Sequence, residues 1–272
     1  MGGTDRDNQA APPPALVLHW STPPATTAVN PDTTPLPSTA ATPALFGPLC
    51  ALLCALALLP TVWTDLDLAA AQWFATEGAS ADMVHWVWID AINRFLPAIF
   101  RACVIAALLG WVAVSVQPRG RQWRLALAFV FLSGALGPGL VVNSGFKEHW
   151  QRARPYQVDN FGGPQHFSRA GVITDQCDNN CSFVSGHVAC GFFLASLMLI
   201  HPRRQKRWAL AGLLAGAVIG FARMADMAHW LSDVLWAGPI TLACSWLVWR
   251  LLLRIYPHAP AAEPDLGSPR KT

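Results

Sequence analysis

Residues 221–233 read FARMADMAHWLSD and join two long apolar runs, 208–222 and 227–253. An arginine, a histidine and an aspartate at the junction of two hydrocarbon-length segments are costly unless a bundle of helices shelters them. The stretch therefore predicts a polytopic membrane protein with a polar site at its helix ends. His229 and Asp233 stand at i and i+4. On one continuous helix these positions share a face, with Cβ atoms about 5–6 Å apart. A carboxylate there accepts one imidazole N–H, fixes the tautomer and leaves the other ring nitrogen free as a nucleophile or base. The plainer reading is a helix end carrying a polar pair.

The composition agrees with a membrane bundle. Of 272 residues, 53% are hydrophobic and 13% charged, against about 25% charged in a soluble domain. The net charge of +3 is too small to point to nucleic acid. Cys50, Cys54, Cys103, Cys190 and Cys244 sit in apolar runs and read as small core residues. Cys177 and Cys181 fall in a polar stretch, and their spacing there predicts a disulfide.

Residues 1–43 hold nine prolines among Thr, Ala and Ser and read as a disordered tail, as do residues 255–272. Between them, 44–254 form the membrane domain. Runs at 44–63, 96–116, 125–142, 183–200, 208–222 and 227–253 predict an all-α fold of about six transmembrane helices. Residues 64–95 predict short amphipathic helices at the interface. Arg101, near the start of the second run, reads as a snorkelling side chain, with a ligand-facing role as the alternative. A long polar loop is expected over 143–182. The basic loops 118–124 and 202–207 place both termini in the cytoplasm and the 143–182 loop in the periplasm of a bacterial inner membrane.

On this topology three polar clusters meet at one membrane face. KEHWQRARP, from Lys147, follows the third run. Ser185-Gly186-His187 opens the fourth. Arg223, His229 and Asp233 lie between the fifth and sixth. Lys147, Arg154 and Arg223 are three cations able to surround a phosphate. Ser185 and the N–H groups of Gly186 and His187 form a helix start that favours an anion. The two histidines supply a nucleophile and a proton donor. No carboxylate cluster is present to hold Mg²⁺, so the reading assigns no metal and no cofactor, and the cations take the metal's part.

Lys147-x6-Arg154-Pro155, Ser185-Gly186-His187 and Arg223-x5-His229-x3-Asp233 together resemble the three-part signature of the type-2 phosphatidic acid phosphatase family, lipid phosphatases that share an active site with vanadium haloperoxidases. Val184 stands where that family usually has proline, and Ala222 where it usually has serine. The resemblance implies that His229 is a nucleophile forming a phosphohistidine, that Asp233 orients it, and that His187 protonates the leaving oxygen. It further implies that Lys147, Arg154, Ser185, Gly186 and Arg223 cradle the phosphate of a membrane lipid. Arg152 and His149 match no catalytic position and read as surface or headgroup contacts. The FGG and NCSFVSGH segments resemble those of bacterial lipid A phosphatases of the same family. Competing substrates are phosphatidylglycerophosphate and undecaprenyl pyrophosphate, and a phosphotransferase or a non-enzymatic lipid binder or transporter could keep the same pocket.

Overall fold

A computed structural model describes Gly2 and residues 42–77, 86–117 and 123–256 of the chain. Most of the expected tails, and Arg119 and Arg121 of the first basic loop, lie outside these residues. The described chain is helical, with a lone bridge between Val158 and Gln165.

The first helix, Phe46–Val62, is met by the short helix Asp65–Gln72 after a bend of 87°. This short helix falls within the 64–95 stretch in which short amphipathic helices were expected. Its buried residues are Asp67 and Ala71, so it turns a carboxylate inward. Trp236 donates to Thr61 Oγ1 at 2.9 Å and ties the first helix to the last.

The second long helix, Val87–Val116, has 30 residues. It begins well before the expected start at 96, and Pro97 does not end it. Arg101 is therefore near mid-helix and not at an end. Ile89 and Ala107 are the buried residues of this helix, which leaves most of its flank facing outward.

Arg124–Gly134 continues through a π-helical segment, Ala135–Phe146, into Lys147–Trp150. The expected loop at 143 thus starts after Trp150, and Lys147 is on a helix. Pro138 has no N–H to give and disturbs the α register from inside. Asn143 answers with its side-chain amide, which donates to the Pro138 carbonyl at 2.7 Å.

The expected fourth span is a buried helix, Gly186–Ser196, closed by a 3-10 turn at Leu197–Leu199. Eight of its eleven residues are buried, so protein surrounds it on most sides. Gln205–Ala225 and Leu231–Ile255 complete the bundle. Four described helices are long and apolar enough to cross a membrane, or five when the bent pair counts as one span. The count of six is not confirmed among the described residues, where the fourth run, Gly186–Leu199, forms an apolar helix shorter than a span requires.

The 186–196 and 205–225 helices pack against each other through small residues. A Cβ on Gly212 would stand 2.5 Å from Ala195 Cβ and its backbone nitrogen. Such pairs let backbones approach where lipid supplies no hydrophobic drive. Gly212→Leu is expected to lower the thermal midpoint in detergent strongly, while substitution at the exposed Leu214 leaves it nearly unchanged.

Candidate active site

The site is built on Arg152. Its side chain is fully buried, which corrects its reading as a surface contact. Nη2 donates to Asp67 Oδ2 at 2.7 Å, and Nη1 donates to Asp233 Oδ1 at 2.6 Å and Ser232 Oγ at 2.7 Å. Nε donates to the Ser168 carbonyl at 2.9 Å. The guanidinium also lies over the rings of Trp230 and Phe167, 5.3 and 5.7 Å from their centroids. Arginine can do this because its planar fork carries five donors and its faces stack on aromatics.

Asp67 closes the network from the far side. Its two oxygens accept from Ser232 N at 2.8 Å and Ser232 Oγ at 2.6 Å. The second Asp233 oxygen accepts from Trp230 N at 2.9 Å and from the Ser182 hydroxyl. Asp233 is thus at once the partner of Arg152 and the cap of the 231–255 helix, where an acidic side chain at the N-terminus is favoured.

His229 precedes that helix. Trp230 is its N-cap and Leu231 its first residue, so the expected single helix through His229 and Asp233 is corrected. The two still meet, because Asp233 reaches back over the helix start. His229 Nδ1 lies 3.6 Å from Asp233 Oδ2, beyond hydrogen-bonding distance, and has no closer partner. Burial holds the imidazole well below its ordinary value, at about 3, with the positive charges of Arg223 and Lys147 adding to the effect. The ring is therefore neutral at physiological pH and keeps a lone pair.

The three cations are close enough to repel one another; the charges of all three reach His187, and those of Arg223 and Lys147 reach His229. Lys147 Nζ donates to Asn180 Oδ1 at 3.0 Å. Arg154 Nε and Nη2 donate to the Asn180 carbonyl at 3.1 and 2.7 Å. Arg223 Nη1 pairs with Asp226 at 3.0 Å, while its buried Nε has no partner. Ser185 is fully buried, its N–H bonds to the Asp233 carbonyl at 3.2 Å, and its hydroxyl has no partner. Gly186 and His187 follow at the helix start. A Cβ on Gly186 would lie 2.8 Å from Asn143 Oδ1, so glycine is what this packing admits.

His187 Nε2 lies 3.1 Å from the Asn93 carbonyl, which can only accept, so Nε2 carries the hydrogen and Nδ1 is the titrating atom. His187 is thus held by a hydrogen-bonded oxygen, whereas His229 has the Asp233 carboxylate beside it at 3.6 Å. Lys147, Gly186, His187 and Asn180 line a cavity of ≈ 680 Å³ that also takes in Arg101 from the outward 87–116 helix. Arg101 faces this cavity from mid-helix, where the sequence had placed it at a helix end.

The PAP2 superfamily profile matches residues 123–256. The lipid A 4'-phosphatase of Francisella tularensis subsp. novicida (strain U112) is 37% identical over 173 residues, 63% of this chain and 75% of that protein. The chain belongs to the PAP2 superfamily. The lipid A 4'-phosphatase of Rhizobium leguminosarum is 41% identical over 117 residues, 43% of this chain and 48% of that protein. No solved structure matches the chain.

The PAP2 superfamily match contains all three motifs but stops short of Asp67 and Asn93, which the Asp65–Gln72 and Val87–Val116 helices bring to the site. Neither was singled out from the sequence. A carboxylate inside an otherwise apolar interfacial stretch was the one available signal for Asp67. Nothing local marks Asn93, because it acts through its backbone oxygen. His149 is exposed and bonds the Gly145 carbonyl at 2.7 Å, and His166 pairs with Asp159 at 2.9 Å on the surface.

Removing one partner of a buried ion pair leaves an uncompensated charge and costs about 3–5 kcal/mol. Arg152→Met is expected to lose folded protein on that scale, read as the thermal midpoint in detergent, and Arg152→Lys to rescue little because a point charge cannot meet four acceptors.

Titration gives a second test. His229 has a folded value below the 6.5 of free imidazole, so the unfolded chain takes up a proton that the folded chain refuses. That share of stability is whole above pH 6.5 and is lost as pH falls toward about 3. The midpoint should drop between about pH 7 and about pH 5, and His229→Gln should flatten that part of the slope.

Proposed function

We propose that this protein is a membrane phosphatase that removes a phosphomonoester from a glycolipid of the lipid A kind through a phosphohistidine on His229. The observation that carries the reading is the placement of His229 Nδ1 against an Asp233 that Arg152, Ser182 and Trp230 hold in one orientation. Arg223 and Lys147, whose charges reach the same ring, support it, as do the names of the relatives.

In this mechanism the neutral His229 uses its Nε2 lone pair to attack phosphorus. A P–N bond forms as the P–O bond to the lipid breaks, and the departing oxygen takes a proton from Nδ1 of His187, which enters the step as the imidazolium when the bound phosphate's negative charge offsets the burial and the Arg223 charge that otherwise lower its pKa. Asp233 stabilises the charge that develops on the His229 ring. Water then attacks the phosphohistidine, His187 takes its proton, and phosphate leaves with His229 restored. Lys147, Arg154, Arg223, the Ser185 hydroxyl and the N–H groups of Gly186 and His187 meet the charge on the phosphoryl oxygens. The apolar wall of the cavity, from the 87–116 helix, suits the acyl part of the lipid.

The site is assigned to the periplasmic side of an inner membrane, following the basic residues of 202–207. A cysteine placed at the exposed Ile173 should be labelled by an impermeant reagent in intact spheroplasts. Labelling only after lysis would reverse the orientation.

Purified protein should release phosphate from lipid A and from p-nitrophenyl phosphate, survive excess EDTA and be inhibited by vanadate. His229→Ala should abolish both reactions. His187→Ala should reduce the lipid reaction by about 10²–10⁴-fold while retaining much of the nitrophenyl reaction, whose leaving group needs little protonation. A lipid binder or transporter would show no phosphate release. A phosphotransferase would deliver the phosphoryl group to a second lipid, visible by mass spectrometry. Equal failure of both histidine variants on both substrates would remove the acid role from His187.

A further inference from the structure

We infer that Asn180, held in the five-residue ring closed by Cys177 and Cys181, is a positioning residue that sets the geometry of the phosphate cradle without neutralising it. The inference rests on the function proposed above. The Cys177 and Cys181 sulfurs are joined with a Cα–Cα distance of 5.7 Å, and both cysteines are buried. Asn180 is within that ring at φ 48°, in the left-handed region that asparagine enters more readily than most residues.

In this conformation one residue offers two acceptors to two motif cations. Its side-chain oxygen takes a hydrogen bond from Lys147 Nζ, and its main-chain oxygen takes two from Arg154. Lys147 comes from the end of the long π-containing helix and Arg154 from the segment after it, so neither is aligned with the other by its own element. Asn180 couples them. It lines the cavity with Lys147, Gly186 and His187.

The choice of acceptor matters. Lys147 has three donors and uses one here, and Arg154 has five and uses two, so donors remain for a phosphate. An amide and a peptide oxygen orient these groups but carry no net charge, and the positive field stays available for an anion. A carboxylate in the same place would form an ion pair and compete with the phosphate. The ring restricts the chain around Asn180, which fixes the main-chain acceptor as well as the side chain. Cutting the ring should therefore act through the same cations as changing the side chain.

The test uses the full-length protein in detergent, with orthovanadate as the probe of the cradle and p-nitrophenyl phosphate turnover as the activity. Asn180→Asp is nearly isosteric and should weaken vanadate inhibition and raise KM by about tenfold, with kcat within about threefold. Asn180→Ala should weaken vanadate less, since it removes the Lys147 acceptor without adding a negative charge. The double variant Cys177→Ser/Cys181→Ser should raise the vanadate inhibition constant in the same way, and adding Asn180→Ala to it should produce little more. A residue that merely holds the loop together would lower kcat or the folded fraction and leave KM and the vanadate constant of the folded enzyme alone. Unchanged vanadate constants in Asn180→Asp and Asn180→Ala, or fully multiplicative effects of ring opening and Asn180→Ala, would overturn the inference while leaving the proposed function standing. A wild-type protein that neither turns over nor binds vanadate would overturn both.

Discussion

The paired salt bridge from Arg152 to Asp67 and Asp233 is the contact on which the other features of the site depend. A guanidinium with no exposed surface must find acceptors for its donors, and here it finds them on three separate parts of the chain. One bond reaches the bent helix after the first long helix, one the loop at Ser168, and two the start of the last helix. Burying charges is expensive, and an apolar cluster of the same volume can be as stable. What an apolar cluster cannot do is hold a carboxylate in one orientation. Asp233 needs that orientation because it lies beside His229 and also caps the helix that follows.

This arrangement separates two kinds of cation within one short segment. Arg152 is consumed by structure: four of its hydrogen bonds go to protein acceptors, and two aromatic rings cover its faces. Arg154, two residues on, is half-exposed and bonds a neutral carbonyl, so its charge stays open to a ligand. Lys147 likewise meets a neutral amide oxygen. The electrostatics of the site follow from this division. The carboxylates Asp67 and Asp233 are matched by Arg152, and the cradle cations are left with uncharged partners or, at Arg223, with the partly exposed Asp226. Under the proposed function, a dianionic phosphoryl group would meet a positive field in a partly apolar cavity, where such a field acts more strongly than in water.

The bundle itself explains why its inner helix can be so short. The 186–196 helix need not cross a lipid layer, because other helices surround it and glycine or alanine contacts draw the 205–225 helix close. Its N-terminus, with His187 as the second residue, lines the same cavity as Lys147, and the Ser185 hydroxyl is left without a protein partner. The outward 87–116 helix forms the opposite wall of the cavity with little packing of its own.

The sequence by itself determined the helical membrane class, because apolar runs of hydrocarbon length permit little else. It also supplied the three polar clusters, since charged and imidazole side chains between such runs demand shelter. The spacing of Lys147, Arg154, Ser185, Gly186, His187, Arg223, His229 and Asp233 pointed to phosphate chemistry before any coordinates. The exact span count was not legible in the sequence, because hydropathy does not distinguish lipid around a short apolar helix from protein around it. It placed His229 inside a helix because periodicity cannot see that Asp233 reaches back to cap one. Only the tertiary structure decided that Arg152 is a buried anchor, that Asp67 is its second partner, that the Asn93 carbonyl fixes the His187 tautomer and that Asn180 joins Lys147 to Arg154. Each is a contact between residues at least 26 positions apart. Their identity is set by where helices pack and loops close, which local composition does not encode.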